Sequence, residues 1–357
     1  MHEKKKISIL FEGVMLTVII VIILHLGKSI ILPFMIALFL SFILNPIVEF
    51  MVNKKIPLVL AVILTILFTF FILYLMGILV FASAKSFSTQ FPIYKPKINH
   101  FLINITGFFK NFFEKLFKEP LNLQLFGNVD WLDTIQKFSI TERLLHSVGT
   151  FLSFLLNIIL VIIFVIYLLL GKSNLFSKIQ RAFNKTQSDK IINIIDNINA
   201  QVQIYLGTKT IISLLTALPS LLILYLFGVD FAILWAFIIF LFNFIPNLGS
   251  IISTLLPLII ALIQFDSLFK VFWLAMCLIC IQFIMANILE PRLMGRSLNL
   301  SPLVVIISLI FWGWLWGIPG MFIAVPILAT ITIILENIES LRFISVFLRG
   351  QQKSEYY

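Results

Sequence analysis

Apolar residues run along this chain in long blocks separated by short polar or basic breaks. Blocks at about 7–26, 29–50, 58–82, 148–170, 210–227 and 270–287 each approach the roughly 20 apolar residues that one helix needs to cross a bilayer. Two further blocks, 231–264 and 303–335, are too long for one crossing and rather short for two, and each is interrupted at its centre. The pattern predicts an all-α, polytopic helical membrane protein with about six full transmembrane helices and two broken re-entrant helical hairpins. Residues 85–147 depart from it. Lys, Asn, Glu and Asp return there, while Phe101, Ile105, Phe108, Phe109, Phe112, Phe113 and Leu116 recur at helical spacing, which reads as an amphipathic helical insert. A second polar helix around Trp131 to His146 is expected to lead back to the membrane.

The first interruption holds Asn243-Phe-Ile-Pro246-Asn247-Leu-Gly249-Ser250. Pro246 removes an amide donor, Gly249 loosens the backbone, and the asparagines carry polar groups that lipid does not satisfy. Irregular backbone at membrane depth survives only inside protein or beside water, so a hairpin facing a cavity is expected. The second interruption reads Trp312-Gly313-Trp314-Leu-Trp316-Gly317-Ile-Pro319-Gly320. Paired interrupted segments are the sequence pointer to a transport site. The two hairpins are expected to enter from opposite faces and to meet near the bilayer midplane.

Charge sets the orientation. Lys4 to Lys6, Lys54 and Lys55, the cluster Lys172, Lys178, Arg181, Lys185 and Lys190, and Arg342, Arg349 and Lys353 fall where basic loops place both termini in the cytoplasm. The chain then divides into N-terminal transmembrane helices at 1–84, an extracytoplasmic insert at 85–147 and a transport core at 148–357. Within the core, a cytoplasmic helix is expected at 172–205, packed on the bundle through Ile191, Ile195, Ile198 and Val202. The first 27 residues resemble a signal peptide but show no small-residue cleavage pattern, so a retained first helix is expected. A bacterial inner membrane is the simplest location.

A hydrophobic share of 61%, a charged share of 12% and a mean hydropathy of +1.09 exclude an ordinary soluble enzyme. The net charge of +10 sits in breaks between spans, so it reports orientation rather than nucleic-acid binding. Cys277 and Cys280 have CxxC spacing, yet their flanks are apolar and no further ligands stand nearby, so helix packing is the reading and no metal is expected. The sequence offers no phosphate-binding loop and no nucleophile with a base, which disfavours an enzyme or an ATP-driven pump and implies no cofactor.

Glu290 is the leading ionisable candidate, since a charged group near membrane depth is by default functional. Helical spacing puts Gln282, Asn287 and Glu290 on one face, with Arg292 or Arg296 as the expected ion partner. Asn243 and Asn247 suit either solute binding or bonds between helices. Asp230 and Asp266 read as solvated loop ends, His25 as interfacial, and Lys209 as snorkelling to the cytoplasmic interface. The candidate binding and gating set is Asn243, Pro246, Asn247, Gly249, Ser250, Gln282, Asn287, Glu290, Arg292, Gly317, Pro319 and Gly320.

Four stretches carry a resemblance: Tyr205-Leu-Gly-Thr-Lys209-Thr, the Asn243 to Ser250 segment, Glu290-Pro291-Arg292-Leu-Met-Gly295-Arg296 on to Pro302, and Trp316-Gly317-Ile-Pro319-Gly320 through Val325-Pro326. Together they resemble the autoinducer-2 exporter (AI-2E) family, over nearly the whole chain. The resemblance implies an inner-membrane permease exporting autoinducer-2 or another small solute, with lipid around it and a homo-oligomeric assembly, a pentamer being one form. Pro319 departs from many relatives, which carry glycine or another small residue there. Because other members are linked to sodium/proton antiport, a sodium or lithium/proton antiporter using Glu290 or Asp266 stays open, as does a membrane scaffold acting through the insert.

Overall fold

The computed structural model describes residues 2–117, 148–246, 248–294 and 300–350. The expected helix at Trp131 to His146, Asn247 and Arg296 lie outside the described residues. Helices α1 (His2–Leu26), α2 (Lys28–Asn53), α3 (Leu58–Phe117), α4 (Val148–Ala182) and α5 (Lys185–Phe227) come first. A short pair follows, α6 (Ala232–Phe242) and α7 (Leu248–Gln264), then α8 (Leu268–Ile284), a π-helical turn (Met285–Leu289) and α9 (Glu290–Met294). Helices α10 (Pro302–Trp316), α11 (Ile318–Glu336) and α12 (Arg342–Leu348) close the chain. The regular elements among the described residues are all helical; Leu300 and Arg349 form an isolated antiparallel bridge.

Among the described residues, five helices are long and apolar enough to cross a membrane, or six when α4, bent by 58° between Leu155–Gly171 and Leu175–Ala182, is taken as one span. The protein is an all-α polytopic membrane protein. Two helices run straight through positions where polarity changes. Helix α3 continues without a break through residues 82–85, so the third span and the start of the insert are one helix. Helix α5 likewise joins the expected cytoplasmic helix to the fifth span. It starts at a side-chain cap, where Asn184 Oδ1 accepts the Gln187 amide at 2.9 Å, and Gln203 to Lys209 contains no proline, Gly207 being carried inside the helix. Polar side chains marked the boundary in sequence, but side-chain polarity does not interrupt backbone hydrogen bonding.

The chain forms two compact units. One comprises the described residues within Met1–Phe70, Leu155–Ile211 and Leu289–Tyr357, and the other those within Phe71–Phe154 and Ile212–Ile288. The first is centred on Ala37, Leu44 and Val48 of α2 packed with Ala61 and Val62 of α3 and Val165 and Leu169 of α4. The second is centred on Leu224, Trp235, Ile239, Ala261, Leu274 and Leu278, from α5 to α8.

The second unit contains the first hairpin. Gln264, the last residue of α7, returns to the start of α6: its Nε2 donates to the Gly228 carbonyl at 2.8 Å and its Oε1 accepts the Asp230 amide at 2.9 Å. Near the turn, Gly249 lies so close to the end of α6 that an added Cβ would sit 1.7 Å from the Phe242 carbonyl oxygen. The arms are therefore antiparallel. With 11 residues, α6 is about 16 Å long, half of a hydrocarbon core.

The second hairpin lies in the first unit. Ser308 Oγ donates to the Ala324 carbonyl at 3.2 Å, and a Cβ on Gly320 would sit 2.1 Å from the Trp312 carbonyl oxygen. Gly317 makes the turn at φ 72°, a backbone angle that favours glycine. Pro319 falls in the first turn of α11, where its missing N–H leaves no helical bond unmade, so it starts a helix rather than breaking one. The tip does not stop halfway along the unit. Trp316 Nε1 donates to the Leu24 carbonyl at 3.1 Å, and the His25 ring stacks on Trp314, which seats the tip on the far end of α1. At the base, Arg349 grips Glu336 through both its Nε and Nη2, and the Ser301 amide donates to the Leu348 carbonyl. The arms of this hairpin, 15 and 19 residues long, reach about 22 and 28 Å.

Candidate transport site

Helix α5 buries Val202, Tyr205, Leu206 and Lys209 along one face. An ammonium group on that face demands a partner, and Glu290 supplies it: Lys209 Nζ lies 2.5 Å from Glu290 Oε1, with the lysine side chain only 4% exposed. Two expectations are corrected here. Lys209 does not snorkel to an interface, and Glu290 pairs with a lysine on another helix rather than with Arg292, which is exposed.

Glu290 owes its position to the residue after it. A proline inside a helix has no amide to donate and clashes with the carbonyl four residues before, here Asn287. The widened π turn at Met285–Leu289 falls where Pro291 requires that relief. Asn287 Nδ2 donates to the Phe283 carbonyl of its own helix at 3.1 Å. Asn287 therefore bonds within its own helix and is otherwise exposed.

Tyr205, one turn before Lys209, is buried, and its hydroxyl has no hydrogen-bond partner among the described residues. It lies within electrostatic reach of Glu290. The trio thus combines a compensated charge pair with a free hydroxyl. Sequence reasoning undervalued Lys209 and Tyr205, yet a signal was present. The apolar stripe Ile191, Ile195, Ile198, Val202 continues at helical spacing to Tyr205 and Lys209, which puts a charge on the buried face.

In the second unit, Asn243 is 7% exposed and donates to Ser213 Oγ at 3.2 Å, bonding one helix end to α5. Of the two readings for this residue, the structure shows the inter-helix bond. The Ser250 carbonyl accepts from Ser253 Oγ and Thr254 Oγ1 inside α7, and Pro246 and Gly249 shape the turn. Cys277 is half-buried and Cys280 exposed, both as free thiols. Among the described residues no group of histidine, cysteine and carboxylate side chains is arranged to hold a metal ion.

Asp230 is not the solvated loop end it was expected to be, whereas Asp266 is exposed. The Tyr94 hydroxyl donates to Asp230 Oδ2, and the Asp230 carbonyl accepts Trp235 Nε1 at 3.0 Å. Phe231 beside it takes a left-handed backbone, φ 60°, held by edge contacts with Phe87 and Tyr94. Burial first, then the bond and charge of Asp230, pushes the Tyr94 phenol above its ordinary value of 10.0. Because the folded state holds this proton more tightly, the latch contributes fully below pH 10 and weakens as pH rises beyond it. Tyr94→Phe is expected to lower stability by about 1–2 kcal/mol at neutral pH, checked by thermal unfolding in detergent, and to flatten the alkaline fall.

A family model described as AI-2E family transporter matches residues 14–340. The chain belongs to the AI-2E transporter family. Among its relatives are a putative transport protein of Borreliella burgdorferi, 30% identical over 96% of this chain and 91% of the relative, and a putative transport protein of Haemophilus influenzae, 32% identical over 91% of each. The AI-2 transport protein TqsA of Escherichia coli K12 is 32% identical over 95% of this chain and 96% of its own length. Membership and the apolar helices make this protein a bacterial membrane transporter.

Proposed function

We propose that the protein is an inner-membrane secondary transporter or facilitator that exports a small polar solute, autoinducer-2 being the first candidate. The observation that carries this reading is the charge balance of the Lys209–Glu290 pair, its lysine buried and its carboxylate half-buried, set in a chain whose relative TqsA is named for AI-2 transport. A compensated pair beside a free Tyr205 hydroxyl offers hydrogen bonds to a neutral, oxygen-rich molecule without demanding a counter-ion. The π turn before Glu290 is a weak point in its helix, and the pair closing and opening across it is the gate. Arg292 and the hairpin residues Asn247 and Ser250 are further proposed contacts with the solute. Both termini lie in the cytoplasm, residues 85–147 stand on the outer side, and copies of the chain assemble into a homo-oligomer.

A sodium/proton antiporter built on Glu290 is the rival. It needs a carboxylate free to exchange cations, whereas Lys209 already neutralises this one. The test is efflux of loaded autoinducer-2 from proteoliposomes, with and without an imposed pH or sodium gradient. Gradient-independent efflux is expected of a facilitator and gradient-dependent efflux of a coupled exporter. No efflux, with a sodium-triggered change of internal pH, replaces export by antiport.

A further inference from the structure

Where α2, α4 and the polar half of α5 come together, the first unit holds a cavity of about 340 Å³. Ser41 and Asn45 of α2 and Asn199 and Gln203 of α5 give it polar groups, and Phe42 and Phe176 are among its apolar walls. Among the described residues that line it, none is charged. Ser41 donates to the Leu38 carbonyl at 2.7 Å and Asn45 to Glu49 at 2.8 Å, so these two already have partners. Asn199 and Gln203 do not. They sit one turn apart on the same face of α5, half-buried, and neither amide has a hydrogen-bond partner among the described residues. Each offers two donors and an acceptor to whatever fills the space.

These features define a ligand class. A charged solute or a phosphate headgroup would be desolvated there with no opposite charge to meet it. A purely apolar occupant would leave two amides unsatisfied. A neutral molecule carrying several hydroxyls or carbonyls on a small carbon frame satisfies both, and the volume matches a small metabolite. The location adds a direction. On α2 the cavity lies before Lys54 and Lys55, on α4 before Lys178 and Arg181, and on α5 ahead of the span, all at the basic end that orientation rules assign to the cytoplasm.

We infer that this cavity is a cytoplasmic loading vestibule, with Asn199 and Gln203 binding a neutral polyhydroxylated solute before it reaches the Lys209–Glu290 pair. The direction of loading rests on the export reading above; the preference for a neutral polyol rests on the cavity alone. The test uses the full chain carrying Leu175→Cys, at a lining position that leaves both amides in place, with Cys277→Ser and Cys280→Ser, in membrane vesicles of both orientations, with a membrane-impermeant maleimide. Labelling is expected from the cytoplasmic face, and millimolar D-ribose or autoinducer-2 is expected to slow it several-fold. Adding Asn199→Leu is expected to weaken that protection about tenfold in solute concentration, in protein that still elutes as a single folded species. Labelling that neither solute slows, or that proceeds only from the outer face, overturns the vestibule. Protection by ribose without autoinducer-2 efflux supports the vestibule and removes the proposed substrate. Efflux of autoinducer-2 without protection by either solute overturns the vestibule and leaves the export reading standing.

Discussion

Lys209→Met is expected to destabilise the protein by about 1–3 kcal/mol and to abolish solute flux, because it leaves the half-buried Glu290 carboxylate without the ammonium it bonds. The double variant Lys209→Met/Glu290→Gln is expected to recover most of that stability, since no uncompensated charge remains. It is not expected to recover transport, because the closing and opening of an ion pair is lost with the ions. Thermal midpoints in detergent for the wild type, both single variants and the double variant form a cycle whose coupling term reads the pair directly. Additive single effects would show that the two groups do not interact in the membrane-embedded protein. Full flux in the double variant would show that the pair is structural, and the gate would have to be sought elsewhere.

The second large effect is steric. Gly249→Ala would place a methyl group 1.7 Å from the Phe242 carbonyl oxygen, and Gly320→Ala would place one 2.1 Å from that of Trp312. Backbone cannot rotate away as a flexible side chain can, so the two arms of each hairpin must separate. Overpacking of this kind costs about 1–3 kcal/mol, and contacts this short belong at or beyond the upper end. Both variants are expected to give little folded protein, read as loss of the monodisperse peak after extraction. Gly171→Ala, where an added Cβ meets nothing within 4 Å, is the matched control and is expected to extract normally. Equal yields from all three would mean that the hairpin arms do not approach so closely.

Gly249 and Gly320 show how the hairpins were legible before any coordinates. An apolar run longer than one bilayer crossing, with glycine, proline and asparagine at its centre, has few ways to fold in lipid, and an antiparallel pair of helices satisfies its backbone. The reach of each hairpin was not legible. Run length alone does not reveal that Trp316 would find the Leu24 carbonyl at the end of α1, nearly 300 positions away in sequence. The continuity of the helix through residue 85 was not legible for a different reason. Polar side chains begin there, but an α-helix such as α3 continues wherever its backbone bonds do.

The sequence by itself determined the class and the segmentation: hydropathy demands helices that bury their own amides in lipid, and the turn residues close two of the apolar runs into hairpins. Only the tertiary structure decided the pairings. Glu290 had two arginines within six positions, yet it bonds Lys209 on α5, because a π turn forced by Pro291 sets its helix and because a buried ammonium needs a carboxylate more than an exposed guanidinium does. Local pattern fixes which face of a helix is apolar. Which charge meets which across that face depends on how separate helices dock, and no spacing rule along one chain encodes that.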